Sequence, residues 1–370
     1  EQVTLISSVS GSRTMLLATD PVTLPNTVWF RDDFAAKEFE ELLSPLHQAR
    51  YIASPTSGDP SLGIEIPVGS ESLGMWVQPT ALERGSVIRE LNLWARVEGS
   101  GGRTRHLLVG DLTASQPAPL AAGFGSFEQA LQGNAPSSKP KASWRFYQVP
   151  LADALESLKQ PIRLVAFFMS REAFTRLPPG TISIDEITAI GPVSNETDSP
   201  PMLTLIEGFE DAAPWAVLPN EGNVPDSLEM SPEAAYSGEL GLAFSWVEPF
   251  SRLPRGIMIP AGPYPLPAIG GPRYVVGQTV RPKVNGQIVP MVITGRIDYF
   301  PTIDPASQQL LIASLEDFRQ YLRRIPRGIY KPPEQLWLAL DRGADRERVL
   351  ETVDSRLSAR VIIKDRRKEV

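Results

Sequence analysis

Apolar and polar positions change rhythm along this chain, and the changes divide it. Near the start, Val3 to Val9 and Thr14 to Ala18 are short apolar runs expected to be strands, with Asp20-Pro21 and Leu24-Pro25 following as turn signals. Phe39, Leu42, Leu43 and Leu46 recur at helical spacing and predict a helix with one buried face, capped by Asp32 or Asp33. A loop of Pro, Ser and Gly, Ser54 to Ser61, closes this stretch. The pattern then turns all-β. Val87, Leu91, Leu93, Ala95 and Val97 alternate with polar or large residues, the period of a strand with one buried face. Leu107-Leu108-Val109-Gly110 continues after the turn Gly99 to Arg103, which predicts a hairpin. Gln116 to Ala142 is loose and rich in small residues, as long loops are. Arg145 to Val149, Ile162 to Met169 and Thr181 to Ile190 complete a set of short strands expected to form a β-sandwich.

A polar linker, Ser194 to Pro201, precedes a second β stretch holding Ile206-Glu207-Gly208-Phe209-Glu210-Asp211, Trp215 and a strand Leu240 to Trp246. Gly- and Pro-rich sequence from Pro249 to Pro272 leads into a mixed region. Val280 to Val284, Asn285-Gly286 and Ile288 to Val292 predict a hairpin, since Asn-Gly supplies the positive φ of a type I′ turn, and the strand is expected to run on to Tyr299. Ser314 and Asp317 start a helix whose apolar face is Leu315, Phe318, Leu322 and Ile325. A strand Leu336 to Leu340, a helix Asp345 to Leu357 facing the core with Val349, Leu350, Val353 and Leu357, and a strand Val361 to Ile363 form a predicted β-α-β unit. Residues 273–370 therefore read as α+β, unlike the middle.

Composition narrows the chemistry. A chain of 370 residues is expected to hold two or three domains. The net charge is −7 and no basic face is concentrated before the C-terminal tail, which argues against nucleic acid. The absence of cysteine excludes disulfides, zinc–thiolate sites and thiol nucleophiles. No run reaches the ~18 apolar residues that span a bilayer. The chain opens directly in strand-like sequence and stops in the charged run Lys364 to Glu369, as expected of a segment cut from a longer protein.

Catalytic constellations do not emerge. His47 and His106 have no partner at metal-ligand spacing. The acid pairs Asp32/Asp33, Asp185/Glu186 and Glu207 with Glu210/Asp211 include neighbours that a strand would point to opposite faces, so none is a ready glycosidase pair. The glycines at 99–102 and 270–271 lack the Lys-Ser/Thr of a phosphate loop. Trp76, Trp94 and Trp144 are candidates for a sugar groove, with core packing the plainer use. Asp298, Tyr299, Phe300 and Pro301 read as structural. Pro301 would stop a ladder, Phe300 would bury, and Asp298 would hold turn amides.

Several of these stretches carry a resemblance. Gly295-Arg296-Ile297-Asp298-Tyr299-Phe300-Pro301-Thr302-Ile303-Asp304-Pro305 resembles a segment of large FtsX-like ABC transporter permeases with MacB-like periplasmic domains. Val276-Gly277-Gln278-Thr279-Val280 is similar to the hairpin preceding it, with Gln278 in place of the family's Asp. Glu334-Gln335-Leu336-Trp337-Leu338 resembles a later strand, and Asp20-Pro21 with Phe30-Arg31-Asp32-Asp33-Phe34 an earlier stretch. Glu207-Gly208-Phe209-Glu210 with Trp215 resembles the opening strand of a galactose-binding-like jelly roll, and Thr181 to Ile187 its closing strand, here in reversed order.

The resemblance implies a mixed fold, with a β-sandwich of jelly-roll type at 62–250, possibly permuted, inserted into an α+β MacB-like porter domain built from 1–55 and 255–370. It implies a non-catalytic segment on the extracytoplasmic face of a bacterial membrane, coupling the transmembrane helices of its parent chain to an external protein, glycan or substrate, with a cytoplasmic ATPase as partner. No organic cofactor follows. A structural calcium would draw its oxygen ligands from Asp185, Glu207, Glu210 and Asp211, with solvated edge charges as the plainer reading. The rival reading is a secreted carbohydrate-binding module with an accessory domain. A glycoside hydrolase would need an acid pair that the sequence does not offer.

Overall fold

A computed structural model describes residues 2–10, 14–51, 62–80, 91–113, 144–171, 179–192, 202–211, 214–222, 224–248, 253–284, 286–301, 303, 308–326, 328, 335–340 and 343–356. The fold is a mixed one dominated by β-sheet.

One sheet draws its strands from both ends of the chain. Its order is Thr279–Val280, Met291–Arg296, Leu266–Gly270, Gln309–Ser314, Thr14–Thr19, Gln2–Ser10, Gln335–Ala339. Two pairings are parallel, Leu266–Gly270 with Met291–Arg296 and Thr14–Thr19 with Gln309–Ser314; the other pairings are antiparallel. We call this unit the frame. Alternation within its strands sends side chains to two cores. Leu17, Ile269 and Ile312 pack with Leu24, Leu42, Leu43 and Leu46 on one face. Leu16, Ala18, Ala268, Leu311 and Ala313 pack on the other, against Leu315, Phe318, Tyr321 and Leu322 of the helix Leu315–Arg324. That helix starts as its sequence dictates. The Ser314 side chain accepts from the Asp317 amide, acids fill the first turn, and Arg323 and Arg324 lie in the last.

The middle of the chain forms two antiparallel sheets around one core. The outer sheet runs Ser227–Ser231, Gly241–Trp246, Gly180–Ile190, Ser72–Thr80, Arg145–Pro150, and Leu203–Glu207 pairs the far half of Gly180–Ile190. The inner sheet runs Ala216–Val217, Arg255–Met258, Ile162–Arg171, Leu91–Gly99, Thr104–Asp111, with Ile64–Glu65 beside Ile162–Arg171. Leu73, Met75, Leu93, Ala95, Phe167, Ile184, Phe244 and Trp246 interdigitate between them. The strand expected at Leu240 to Trp246 is bonded to Gly180–Ile184, so the second β stretch completes the first sandwich rather than building another.

The inner sheet is covered on its second face too. Ala166, Phe168 and Met258 belong to the frame's core, against the helix Leu315–Arg324. This explains why Val165-Ala166-Phe167-Phe168 is an unbroken apolar run: a strand buried on both faces has no polar side.

Several expectations need correction. Asp32 and Asp33 sit in a separate turn, Asp32–Phe34, while the helix begins only at Phe39, so neither caps it. The strand expected to reach Tyr299 stops at Arg296. The Asn285-Gly286 hairpin has rungs only at Lys283–Val284 and Gln287–Ile288, with Gly286 at φ +79°; Val280 and Met291–Arg296 leave it for the frame sheet. Sandwich pairing extends to Met258, beyond residue 250. Leu266–Gly270 and Gln309–Ser314, central in the frame, stand where no strand was expected. Their nearly complete burial on both faces leaves no alternation to read. The loops at 54–61 and 116–142, Val87, the linker 194–201, Leu357 and the strand at 361–363 lie outside the described residues.

Candidate functional site

The four proposed calcium ligands fall along one seam of the outer sheet. The strand Gly180–Ile190 is paired on one edge by Ser72–Thr80, but on the other by two short strands that leave a gap at Asp185 and Glu186. Glu186 adopts φ +47° and Phe209 φ +57°, the left-handed region that non-glycine residues enter only when held there. The gap is filled by the loop Tyr236–Leu240, and its amides are what the acids hold. Asp185, 1 % exposed, accepts from its neighbour Glu186 (2.7 Å), from Tyr236 (2.6 Å) and from Ser237 (3.1 Å). Glu186 accepts from the Ser237 hydroxyl. Glu207 accepts from the Phe209 amide at 2.8 Å, and Glu210 from those of Glu239 (3.0 Å) and Leu240 (3.2 Å). Gly238 turns at φ +67° against Glu210, where a Cβ would lie 1.8 Å from the carboxylate.

This donor set does not fit a calcium cradle. A hard cation needs six or more oxygens free to face it, whereas both oxygens of Asp185 and of Glu210, and one of Glu207, accept from main-chain N–H groups. Among the described residues no three His, Asp or Glu side chains converge as a metal group, and Asp211 lies exposed at the margin. Burial pushes the Asp185 carboxyl up to about 6, against the lowering effect of its amide donors.

Beside the seam lies an aromatic cluster. Trp76 stacks on Tyr236 at 3.9 Å, and Phe146 and Trp144 meet them edge-on. Trp94 is elsewhere. It stacks on Phe168 on the frame side of the inner sheet and donates to the Ser170 hydroxyl at 2.7 Å. The three tryptophans considered for a sugar groove therefore do not share a surface.

In the frame, Phe300 is buried as expected. The Asp298 carboxylate pairs with Arg296 at 3.1 Å, and the Asp298 amide donates to the carbonyl of Phe34 at 2.7 Å; Thr302 and residues 304–307, the turn whose amides it was expected to hold, lie outside the described residues. Tyr299 donates its amide to the same carbonyl at 3.3 Å, and its ring lies 6.0 Å from that of Phe34. Pro301 falls in the turn between the bridged residues Phe300 and Ile303. His47 is half-buried in the helix Phe39–Tyr51; His106 is exposed on Thr104–Asp111 against Arg96.

Buried cations were not foreseen. Arg255 forms an ion pair with Asp226, both side chains almost wholly buried, and donates to the Glu248 carbonyl at 2.6 Å. Arg96 and Arg324 are likewise buried where the sandwich meets the frame. A single arginine in a strand pattern carries no signal of burial, because its partners are far away in sequence.

Fold and site together define a β-sandwich joined to a mixed αβ frame, with acids and aromatics in structural use. Comparison with protein-family models, curated proteins and solved structures found no match to this chain. Among the described residues no helix is long and apolar enough to cross a membrane.

Proposed function

We propose that this chain is the non-catalytic extracytoplasmic part of an FtsX-like ABC transporter permease, its sandwich a permuted jelly roll inserted into a MacB-like frame. The observation that carries the reading is the meeting of the two motif stretches. The Phe34 carbonyl takes the amides of Asp298 and Tyr299, so Phe30–Phe34 and Asp298–Pro301 are one local structure despite their separation in sequence. The sheet supports it as well. Gln2 stands opposite Ala339, so the first described strand and the last are neighbours. A unit whose two arms return to one edge can be fed by membrane helices on both sides, with the sandwich carried between them. In this role the chain couples its parent's transmembrane helices to an external protein or substrate, and a cytoplasmic ATPase supplies the energy.

The test is the complete reading frame, expressed with its flanking sequence in bacteria. Four or more membrane helices around this segment, and digestion of the segment by protease added to spheroplasts while a cytoplasmic marker stays intact, are the expected results. A chain that fractionates as soluble and carries no flanking helices would refute the reading.

A further inference from the structure

Sandwich and frame meet at the C-terminal end of the helix Leu315–Arg324. The last carbonyls of a helix have no partner within it. Here the carbonyl of Arg323 accepts two bonds from one sandwich side chain, Arg96 Nη2 at 2.6 Å and Nε at 3.1 Å. Arg96 lies in Leu91–Gly99 and is 5 % exposed. Arg324, 4 % exposed, reaches the opposite way, donating to the Leu62 carbonyl at 3.0 Å and lying 3.2 Å from Glu98. A cation at this end of a helix is also favoured by its dipole.

A third side chain touches Arg96. His106 stands directly opposite it in the strand register, with Nε2 against Arg96 Nη1. A guanidinium can only donate, so Nε2 must be the acceptor and the imidazole must be neutral. The ring is steadied by an edge contact with Phe168, centroids 4.9 Å apart.

We propose that Arg96 is a cross-domain cap on this helix, held in place by the neutral imidazole of His106, and that protonation of His106 releases the cap and loosens the sandwich from the frame. A proton on Nε2 replaces the acceptor with a donor and sets two cations in contact. Among the described residues the charged groups around the contact are Arg96 and Glu98 on one sandwich strand, Arg163 on the neighbouring strand, where it pairs with Glu65, and Arg323 and Arg324 on the helix, with Glu98 beside Arg324. Although His106 is in part exposed to solvent, loss of water around the ring, and then the charge of Arg96, push it down to about 4. The sign follows from linkage. The locked state holds its proton less firmly than a released imidazole, so the lock is complete above the ordinary histidine range and is lost as pH falls through about 4. This inference does not rest on the permease reading.

Hydrogen exchange of the full chain at about pH 7.5 and about pH 3.5, corrected for intrinsic rates, tests it. The reporter is the Ile325 amide, which closes the helix on the Tyr321 carbonyl. In the unaltered chain its exchange rises about tenfold on acidification. Arg96→Met shows the raised rate already at neutral pH. His106→Gln keeps an acceptor that cannot titrate, and holds the slow rate at both pH values. Because loss of a buried arginine can unfold the chain, the His106→Gln comparison decides by itself. If that variant follows the unaltered chain's response to acid, or if the unaltered chain shows none, the proposal is overturned.

Discussion

In the seam of the outer sheet and in the surroundings of the inner sheet, main-chain groups are held by charged side chains of opposite sign. In the seam the groups left over by the fold are amides, of Glu186, Tyr236, Ser237, Phe209, Glu239 and Leu240, and carboxylates take them. Around the inner sheet the groups left over are carbonyls, of Arg323, Leu62, Glu248 and Asn220, and guanidinium groups of Arg96, Arg324, Arg255 and Arg281 take them. The sign of the side chain recruited at these places thus follows from which main-chain group the topology strands. An acid cluster in a sheet gap is then a hydrogen-bond device before it is a metal site.

The largest test of this contrast is on the cation side. Arg255→Met leaves the Asp226 carboxylate buried without its cation and is expected to cost about 3–5 kcal/mol in urea unfolding. Adding Asp226→Asn should recover much of that loss; a double variant as unstable as the single one would show that the pair is not what matters. On the anion side, Asp185→Asn presents a donor to amides that need acceptors, for an expected loss of about 1–3 kcal/mol at neutral pH. The two sides differ in their response to acid as well. The folded Asp185 carboxyl titrates near 6, above its unfolded value, so this group's contribution to stability improves as pH falls through 6 toward the unfolded value. Unfolding at about pH 7.5 and about pH 5 should therefore show the unaltered chain gaining on Asp185→Asn at the lower pH, and a constant difference would contradict burial as the dominant cause. Outside both regions the effects shrink. Ser314→Ala removes an N-cap and should cost about 1 kcal/mol. Arg31→Ala breaks an exposed pair with Asp33, and thermal melts should show a change below about 0.5 kcal/mol.

Legibility followed burial. Leu91, Leu93, Ala95 and Val97 could be read as one inward face because residues between them remain partly exposed or polar. Phe39, Leu42, Leu43 and Leu46 were equally readable, since that helix keeps an exposed side. Leu266–Gly270 was hidden because Pro, Gly and uniform burial on both faces resemble loop composition. The acids of the seam were legible as a group near the sandwich's first and last strands, but their use was not. Asp185 is separated from Tyr236 by a stretch of chain that no local pattern bridges, and only the bulge at Glu186 reveals which amides need an acceptor.

By itself the sequence determined the helical and β periods, the capped start at Ser314, the lack of thiol chemistry and the β character of the middle, because each depends on neighbours a few residues apart. Tertiary structure alone decided that the inner sheet is covered twice, that Phe34 holds Asp298, and that Arg96 caps a helix of the frame. Those outcomes are long-range pairings. Their energies come from burial and from hydrogen bonds whose two partners no local window contains together.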